Sequence, residues 1–289
     1  MNNNVLPVMG QSGVRLSEQE FVLFRQMIYN LCGINISEHK RSLVENRLAR
    51  LMKSGNFSSF KDYYEFVQKD KTGNEITNLL DRISTNVTHF FRENDHFEFM
   101  KKEVMPWLLS KYVNSPGHKV RVWSTASSSG EEPYTIGMTF LEDDTFMKKL
   151  DFAVLGTDIS TKVIKMADEG VYSTDKVRNI SKRILLKYFD KIKPDTGPEN
   201  YRVKSLLRSK VLFRRMNLMM KEFPFKNMLD IIFCRNVMIY FDKKTQAELI
   251  RKFAKHLNPG GYLMIGHSEN LTGVNHDFQY VKPSIYRKI

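Results

Sequence analysis

Hydrophobic positions recur at helical spacing through the first 85 residues, whereas after about residue 119 they gather into short apolar runs between polar turns. Phe21, Phe24, Met27, Ile28 and Leu31 share one helical face. Ser17-Glu18-Gln19-Glu20 before them reads as a capping box, and Gly33 as a stop. Further helices are predicted from about Ser37 through Met52, ending near Gly55, from about Phe60 to Gln68, and from about Asn74 to Ile83. The texture changes after Pro106. Val120–Trp123, Phe152–Gly156, Val211–Phe213, Leu229–Cys234 and Tyr262–Gly266 read as strands, the last after a turn at Asn258-Pro259-Gly260-Gly261. Leu229–Cys234 is nearly continuous in its apolar character, as in a strand covered on both faces. Strands alternating with helices predict an α/β fold with a doubly wound, mostly parallel sheet. A long piece from about Tyr172 to Arg208, with a turn at 194–198, reads as a small antiparallel insertion. The expected organisation is a disordered tail at 1–14, a helical domain at 15–88, and an α/β domain at 89–289 carrying the insertion at about 172–208.

Composition narrows the picture. The 289 residues are 42% hydrophobic and 27% charged, a globular balance, and 45 Lys and Arg against 32 Asp and Glu leave a formal charge of +13. That charge favours an acidic partner: nucleic acid, an anionic membrane surface or an acidic protein face. The apolar runs are too short to span a bilayer, and Met1–Pro7 has no leader character. Cys32 and Cys234 are too few for a disulfide framework or a structural zinc site, so the expectation is a cytoplasmic protein with reduced thiols and no metal.

Doubly wound sheets bind ligands at the carboxyl ends of their strands. The first strand runs into Ser124-Thr125-Ala126-Ser127-Ser128-Ser129-Gly130-Glu131-Glu132-Pro133, where every side chain before Glu131 is small. Two carboxylates would repel a diphosphate, which makes a dinucleotide a poor fit and a cationic or zwitterionic ligand such as S-adenosylmethionine a good one. Asp158 ends the second strand, where an acidic residue accepts hydrogen bonds from a ribose; an N-cap for the helix after it is the equal alternative. Asn217 after the third strand and Arg235-Asn236 after the fourth complete a polar ring around one crevice.

Four segments carry a resemblance: Thr85-Asn86-Val87-Thr88-His89-Phe90-Phe91-Arg92-Glu93, Arg121-Val122-Trp123 through Tyr134, Phe233-Cys234-Arg235-Asn236-Val237-Met238-Ile239-Tyr240-Phe241-Asp242, and Gly266-His267-Ser268-Glu269-Asn270. Together they strongly resemble the chemotaxis receptor methyltransferases, the CheR family, from about residue 17 to the C-terminus. The resemblance implies a helical N-terminal domain and a Rossmann-like S-adenosylmethionine-dependent methyltransferase domain with a small inserted β-subdomain. It also implies methyl transfer to glutamate side chains on the cytoplasmic helices of chemoreceptors, leaving S-adenosylhomocysteine, by a monomer. By motif, Asn86, Thr88, Arg92, Glu132, Asp158, Asn217, Leu218, Arg235 and Asn236 would line the cofactor site. Arg92 and Tyr240 would sit beside the transferred methyl, and Glu132 would bind the methionyl ammonium, with Glu131 as the alternative. Outside the motif, Arg92 would read as a surface arginine pairing with Glu93, and Tyr240 as a core aromatic with its hydroxyl in water. The hydroxyl-rich run 124–129 departs from the family's Ala-rich turn, and a short turn near Thr196-Gly197-Pro198 argues against tethering to a receptor pentapeptide.

On the second helix Val44, Leu48 and Leu51 share one face, while Arg47, Arg50 and Lys53, with Lys40 before them, fan over another. Such a face is either merely solvated or a docking surface for acidic receptor helices, which the resemblance favours. A base methyltransferase would place an Asn/Asp-Pro-Pro-aromatic turn after the fourth strand, where this chain has Cys234-Arg235-Asn236-Val237; nucleic acid is therefore not the expected partner. A non-catalytic S-adenosylmethionine sensor is the other rival. The chain shows no His/Asp or Cys/His catalytic pairing, which suits a reaction that needs no base.

Overall fold

The computed structural model describes residues 15–115, 117–193 and 199–289, so the expected tail at 1–14 and the turn at 194–198 lie outside the described residues. Two compact units emerge, Met1–Asn30 with Ile36–Ile83, and Leu31–Asn35 with Ser84–Ile289.

The first unit is helical: α1 (Glu18–Cys32), α2 (Arg41–Gly55), α3 (Phe60–Lys69) and α4 (Asn74–Ile83). The capping box forms as read, with the Glu20 amide donating to Ser17 Oγ at 3.2 Å and the Ser17 amide donating to Glu20 Oε2 at 2.9 Å. Gly33 stops α1 at φ +73°. α2 ends at Gly55, as expected, and Asn56, at φ 55°, takes the left-handed cap position after it. Phe21, Phe24, Ile28, Val44, Leu48, Phe60, Tyr63 and Leu79 are buried.

The second unit opens with α5 (Asp95–Phe99), which continues through a π-helical turn at Met100–Val104 into α6 (Met105–Lys111). Pro106 sits in the first turn of α6, where its missing N–H is tolerated, and the first strand follows that helix. A seven-stranded sheet follows. Its strands are β1 (Lys119–Ser124), β2 (Asp151–Asp158), β6 (Val211–Arg215), β7 (Leu229–Cys234), β8 (Leu257–Ile265), β9 (Phe278–Lys282) and β10 (Ile285–Lys288). They lie in the order β6-β2-β1-β7-β8-β10-β9. The first five are parallel, and β10 pairs antiparallel with both β8 and β9. The β9–β10 hairpin was not predicted, because alternation such as Phe278-Gln279-Tyr280-Val281-Lys282 is a weak signal at a chain's end. Helices α7 (Glu131–Leu141), α8 (Asp144–Lys149), α9 (Thr161–Glu169) and α13 (Lys243–His256) accompany the sheet.

All six residues of β7 are buried, as a strand covered on both faces requires. Val122, Val154, Ile231, Phe233 and Met264 pack on one face with Phe97, Phe140 and Phe146. Trp123, Ile232, Cys234 and Leu263 pack on the other with Leu249 and Phe253 of α13. The insertion is a separate antiparallel sheet of β3 (Val171–Ser173), β5 (Asn200–Val203) and β4 (Phe189–Ile192), joined by α10 (Thr174–Val177), α11 (Lys182–Tyr188) and α12 (Ser205–Arg208). Among the described residues no helix is long and apolar enough to cross a membrane. Cys32 and Cys234 are both buried and form no disulfide; burial pushes the Cys32 thiol up to about 11 and holds that of Cys234 well above its ordinary value.

Candidate active site

The carboxyl ends of β1, β2 and β7 open on one crevice of the second unit. The turn after β1 passes through Ser128 at φ 47° and Gly130 at φ 94° before α7 begins. A Cβ at Gly130 would lie 2.8 Å from Ala167 Cβ and 3.0 Å from the Phe213 ring, so both conformation and space demand glycine there. Three of the hydroxyls that mark this turn act as ties. Ser124 Oγ donates to Glu132 Oε1 at 2.7 Å, Ser128 Oγ to the Asn86 carbonyl at 3.1 Å, and Ser129 Oγ to Glu131 Oε2 at 2.7 Å.

The crevice has two lobes. A polar one of about 670 Å³, counted with its open mouth, is lined by residues that include Asn86, Thr88, Arg92, Glu132, Arg235 and Asn236. An apolar one of about 400 Å³ is lined by residues that include Cys32, Ile34, Met216, Leu218 and Phe241. Ile34, Ala126, Asp158, Ile159, Val237 and Tyr240 line both, so Asp158 stands at the waist.

Asp158 is not the N-cap of α9. Ser160 is: its side chain accepts from the Val163 amide at 3.3 Å. The Asp158 carboxylate instead accepts from the Ser128 amide at 2.9 Å and the Ser160 amide at 3.0 Å. Of the paired glutamates, Glu132 lines the polar lobe, while Glu131 is fully buried and takes Lys176 Nζ at 2.8 Å.

Arg235 is almost wholly buried. Its guanidinium donates to Glu132 Oε2 at 2.9 Å, to Glu93 Oε2 at 3.0 and 3.2 Å, and to the Arg92 carbonyl. Glu93 also accepts from Asn236 Nδ2 at 3.2 Å and the His267 amide at 3.3 Å. Burial by itself would raise its pKa, but Arg235 and these hydrogen bonds prevail and hold the carboxyl below its ordinary value. Glu269 collects the amides of Gly266 at 2.6 Å, Asn236 at 3.0 Å and Ile239 at 3.2 Å, yet burial keeps its carboxyl above the ordinary value. Phe91, Glu93, Ser128 and Asn236 are all non-glycine residues at positive φ around the crevice, a local strain of the kind that collects at functional sites.

Arg92 donates to the Val87 carbonyl at 2.9 Å, and its Nε stands 4.0 Å from Glu93 Oε1, so the ion pair of the alternative reading forms at its outer limit while Arg92 also lines the crevice. Tyr240 is half-buried on a short 3-10 turn, Met238–Tyr240, and its carbonyl accepts from the Asn35 amide at 2.8 Å. Asn217 departs from expectation. Its side-chain amide donates to the Leu31 carbonyl at 2.6 Å and accepts from the Met219 amide at 2.9 Å, and it lines neither lobe. Sequence reasoning passed over Glu93 and Glu269, although both stand in the quoted motifs, and over Ile34 and Cys32, which carry no local signal. It also found no His/Asp pairing, yet His267 Nε2 lies 3.0 Å from Asp95; neither residue lines the crevice.

S-adenosylmethionine fits this donor set. It needs an apolar slot for a base, an acceptor for a ribose diol and a carboxylate for an ammonium, and the crevice offers these as its apolar lobe, its waist and its polar lobe.

Residues 86–287 match the family described as CheR methyltransferase, SAM binding domain, and residues 19–84 match CheR methyltransferase, all-alpha domain. A chemotaxis protein methyltransferase of Borreliella burgdorferi is 41% identical over 277 residues, covering 95% of this chain and 96% of that one. A probable chemotaxis protein methyltransferase of Rhizobium etli is 37% identical over 262 residues, 90% of this chain and 96% of that one. A chemotaxis protein methyltransferase of Escherichia coli is 36% identical over 273 residues, 94% of this chain and 91% of that one. A cradle built for a cationic donor, and family matches that between them span most of the sequence, lead to one conclusion: the chain belongs to the CheR methyltransferase family, whose cofactor is S-adenosylmethionine.

Proposed function

We propose that this enzyme methylates glutamate side chains on the cytoplasmic helices of chemoreceptors, forming methyl esters, and that it works in the cytoplasm as a monomer. The observation that carries the reading is the two-lobed crevice with Arg92 and Tyr240 on its walls and Asp158 at its waist. The bound donor supplies an electrophilic methyl group on a positively charged sulfur. Asp158 would accept from the ribose hydroxyls, Glu132 would hold the ammonium, and Leu218 would pack on the base. Asn86, Thr88 and Asn236 would complete the wall, and Arg235 would act through Glu132 and Glu93.

A glutamate with an ordinary pKa near ~4.3 is ionised at neutral pH, so the acceptor needs no general base. Arg92 offers a planar donor fork and Tyr240 a hydroxyl; the two would orient the carboxylate while leaving one oxygen free to attack. Positioning of this kind supplies up to roughly 7–11 kcal/mol of barrier reduction. The basic face of α2, with Lys40, Arg47, Arg50 and Lys53, would receive acidic receptor helices.

The test is incubation of the full chain with methyl-labelled donor and membranes carrying native receptors. Label in base-labile ester on receptor glutamates is the expected result. Label in nucleic acid, or no transfer despite donor binding, would overturn it.

A further inference from the structure

Beside the crevice lies a second group of side chains, which shares only Glu93 with the network that holds Arg235. His96, on α5, is fully buried, and neither of its ring nitrogens has a hydrogen-bond partner among the described residues. A buried, unsatisfied polar group costs about 1–3 kcal/mol, so a site that holds one calls for a ligand. Its neighbours are chosen from the right chemistry. Glu93 Oε2 lies 3.8 Å from His96 Nδ1, and the His267 ring meets the His96 ring edge to face with centroids 5.1 Å apart. One donor atom from each of Glu93, His96 and His267 lies within 4.8 Å of the other two.

We propose that Glu93, His96 and His267 form a binding site for a divalent transition-metal ion of the zinc class, with Asp95 orienting the His267 ring. Two imidazoles and a carboxylate suit zinc, cobalt or nickel; magnesium and calcium prefer an all-oxygen set. An ion about 2.1 Å from each ligand holds its ligands roughly 3.4–4.2 Å apart, so the present span needs only a small inward movement. His267 can make it, because its side chain is 46% exposed and is fixed mainly by Asp95 at 3.0 Å. That carboxylate behind an imidazole is the usual second partner of a metal-bound histidine. The ligands stand at positions 93, 96 and 267, so only the fold assembles the site. Glu93 also holds Arg235, which gives an ion here a direct connection to the wall of the crevice.

The test uses the tag-free full chain after chelator treatment. Cobalt(II) is titrated in while visible d–d absorption is followed, and zinc(II) retention is measured by equilibrium dialysis. The expected result is stoichiometric binding of each ion, with affinity falling roughly tenfold or more in His267→Ala and in His96→Gln. His267→Ala removes an exposed side chain, so its metal-free thermal midpoint should match the parent. Absence of cobalt bands and of zinc retention above background would overturn the proposal and leave His96 to a buried water. Equal affinity in His267→Ala would overturn it as well.

Discussion

Arg235 brings a full positive charge to a strand end and buries it, with 1% of its side chain exposed. Removing a charge from water is costly unless its partners repay it in hydrogen bonds, and here Glu93, Glu132 and the Arg92 carbonyl do so. Arg235→Met should therefore strand two partly buried carboxylates and lower stability by roughly 3–5 kcal/mol, read by urea unfolding. A loss under about 1 kcal/mol would mean that the network contributes little. Arg92 and Tyr240 are in a different position, because each lines the crevice. Tyr240→Phe should reduce kcat about a hundredfold with donor affinity nearly intact, and Arg92→Ala should weaken donor binding as well. Calorimetry beside single-turnover methylation separates the two effects, and parental rates in both variants would remove them from the chemistry. The motif pointed to these residues. It could not show that Asn217, at an equally suggestive strand end, donates its side-chain amide to the Leu31 carbonyl, because that depends on where a segment 186 residues away comes to lie.

Between elements, charge does structural work as well. At the end of α7, Glu142 takes Lys187 at 2.7 Å, the Tyr188 hydroxyl at 2.7 Å and Arg183, tying that helix to α11 of the insertion. Burial opposes its ionisation, but these three partners bring the carboxyl down to about 2. A carboxyl depressed in the folded state stabilises the protein above its ordinary value of 4.5; this contribution is lost as pH falls from there toward 2. Glu142→Gln should lower the thermal midpoint at pH 7 and flatten its fall between pH 4.5 and 3. Parallel curves for parent and variant would show that the tie is not coupled to folding. Helix starts were the most legible elements, since Ser17 and Glu20 meet within three residues. The end of α2 near Gly55 was legible too, but not that Asn56 takes the left-handed cap position after it.

For the molecule as a whole, a charge of +13 favours encounter with acidic helices and should make receptor methylation sensitive to salt. The face of α2 is not uniform in this respect. Arg47 donates to the Ile83 carbonyl at the end of α4, so its reversal would disturb the helical unit, whereas Arg50 and Lys53 are exposed. Arg50→Glu with Lys53→Glu should raise KM for receptor several-fold at low salt, spare donor affinity and blunt the salt dependence. An unchanged KM would place docking elsewhere. By itself the sequence determined the helical unit, the parallel order of alternating strands and helices, and the small-residue turn with its acidic flank. These rest on periodicity and on contacts between near neighbours in the chain. Tertiary structure decided which of Glu131 and Glu132 faces the crevice, why Asp158 is free of capping, and how positions 93, 96 and 267 converge. Such choices follow from packing between segments far apart in the chain, where no local pattern carries the information.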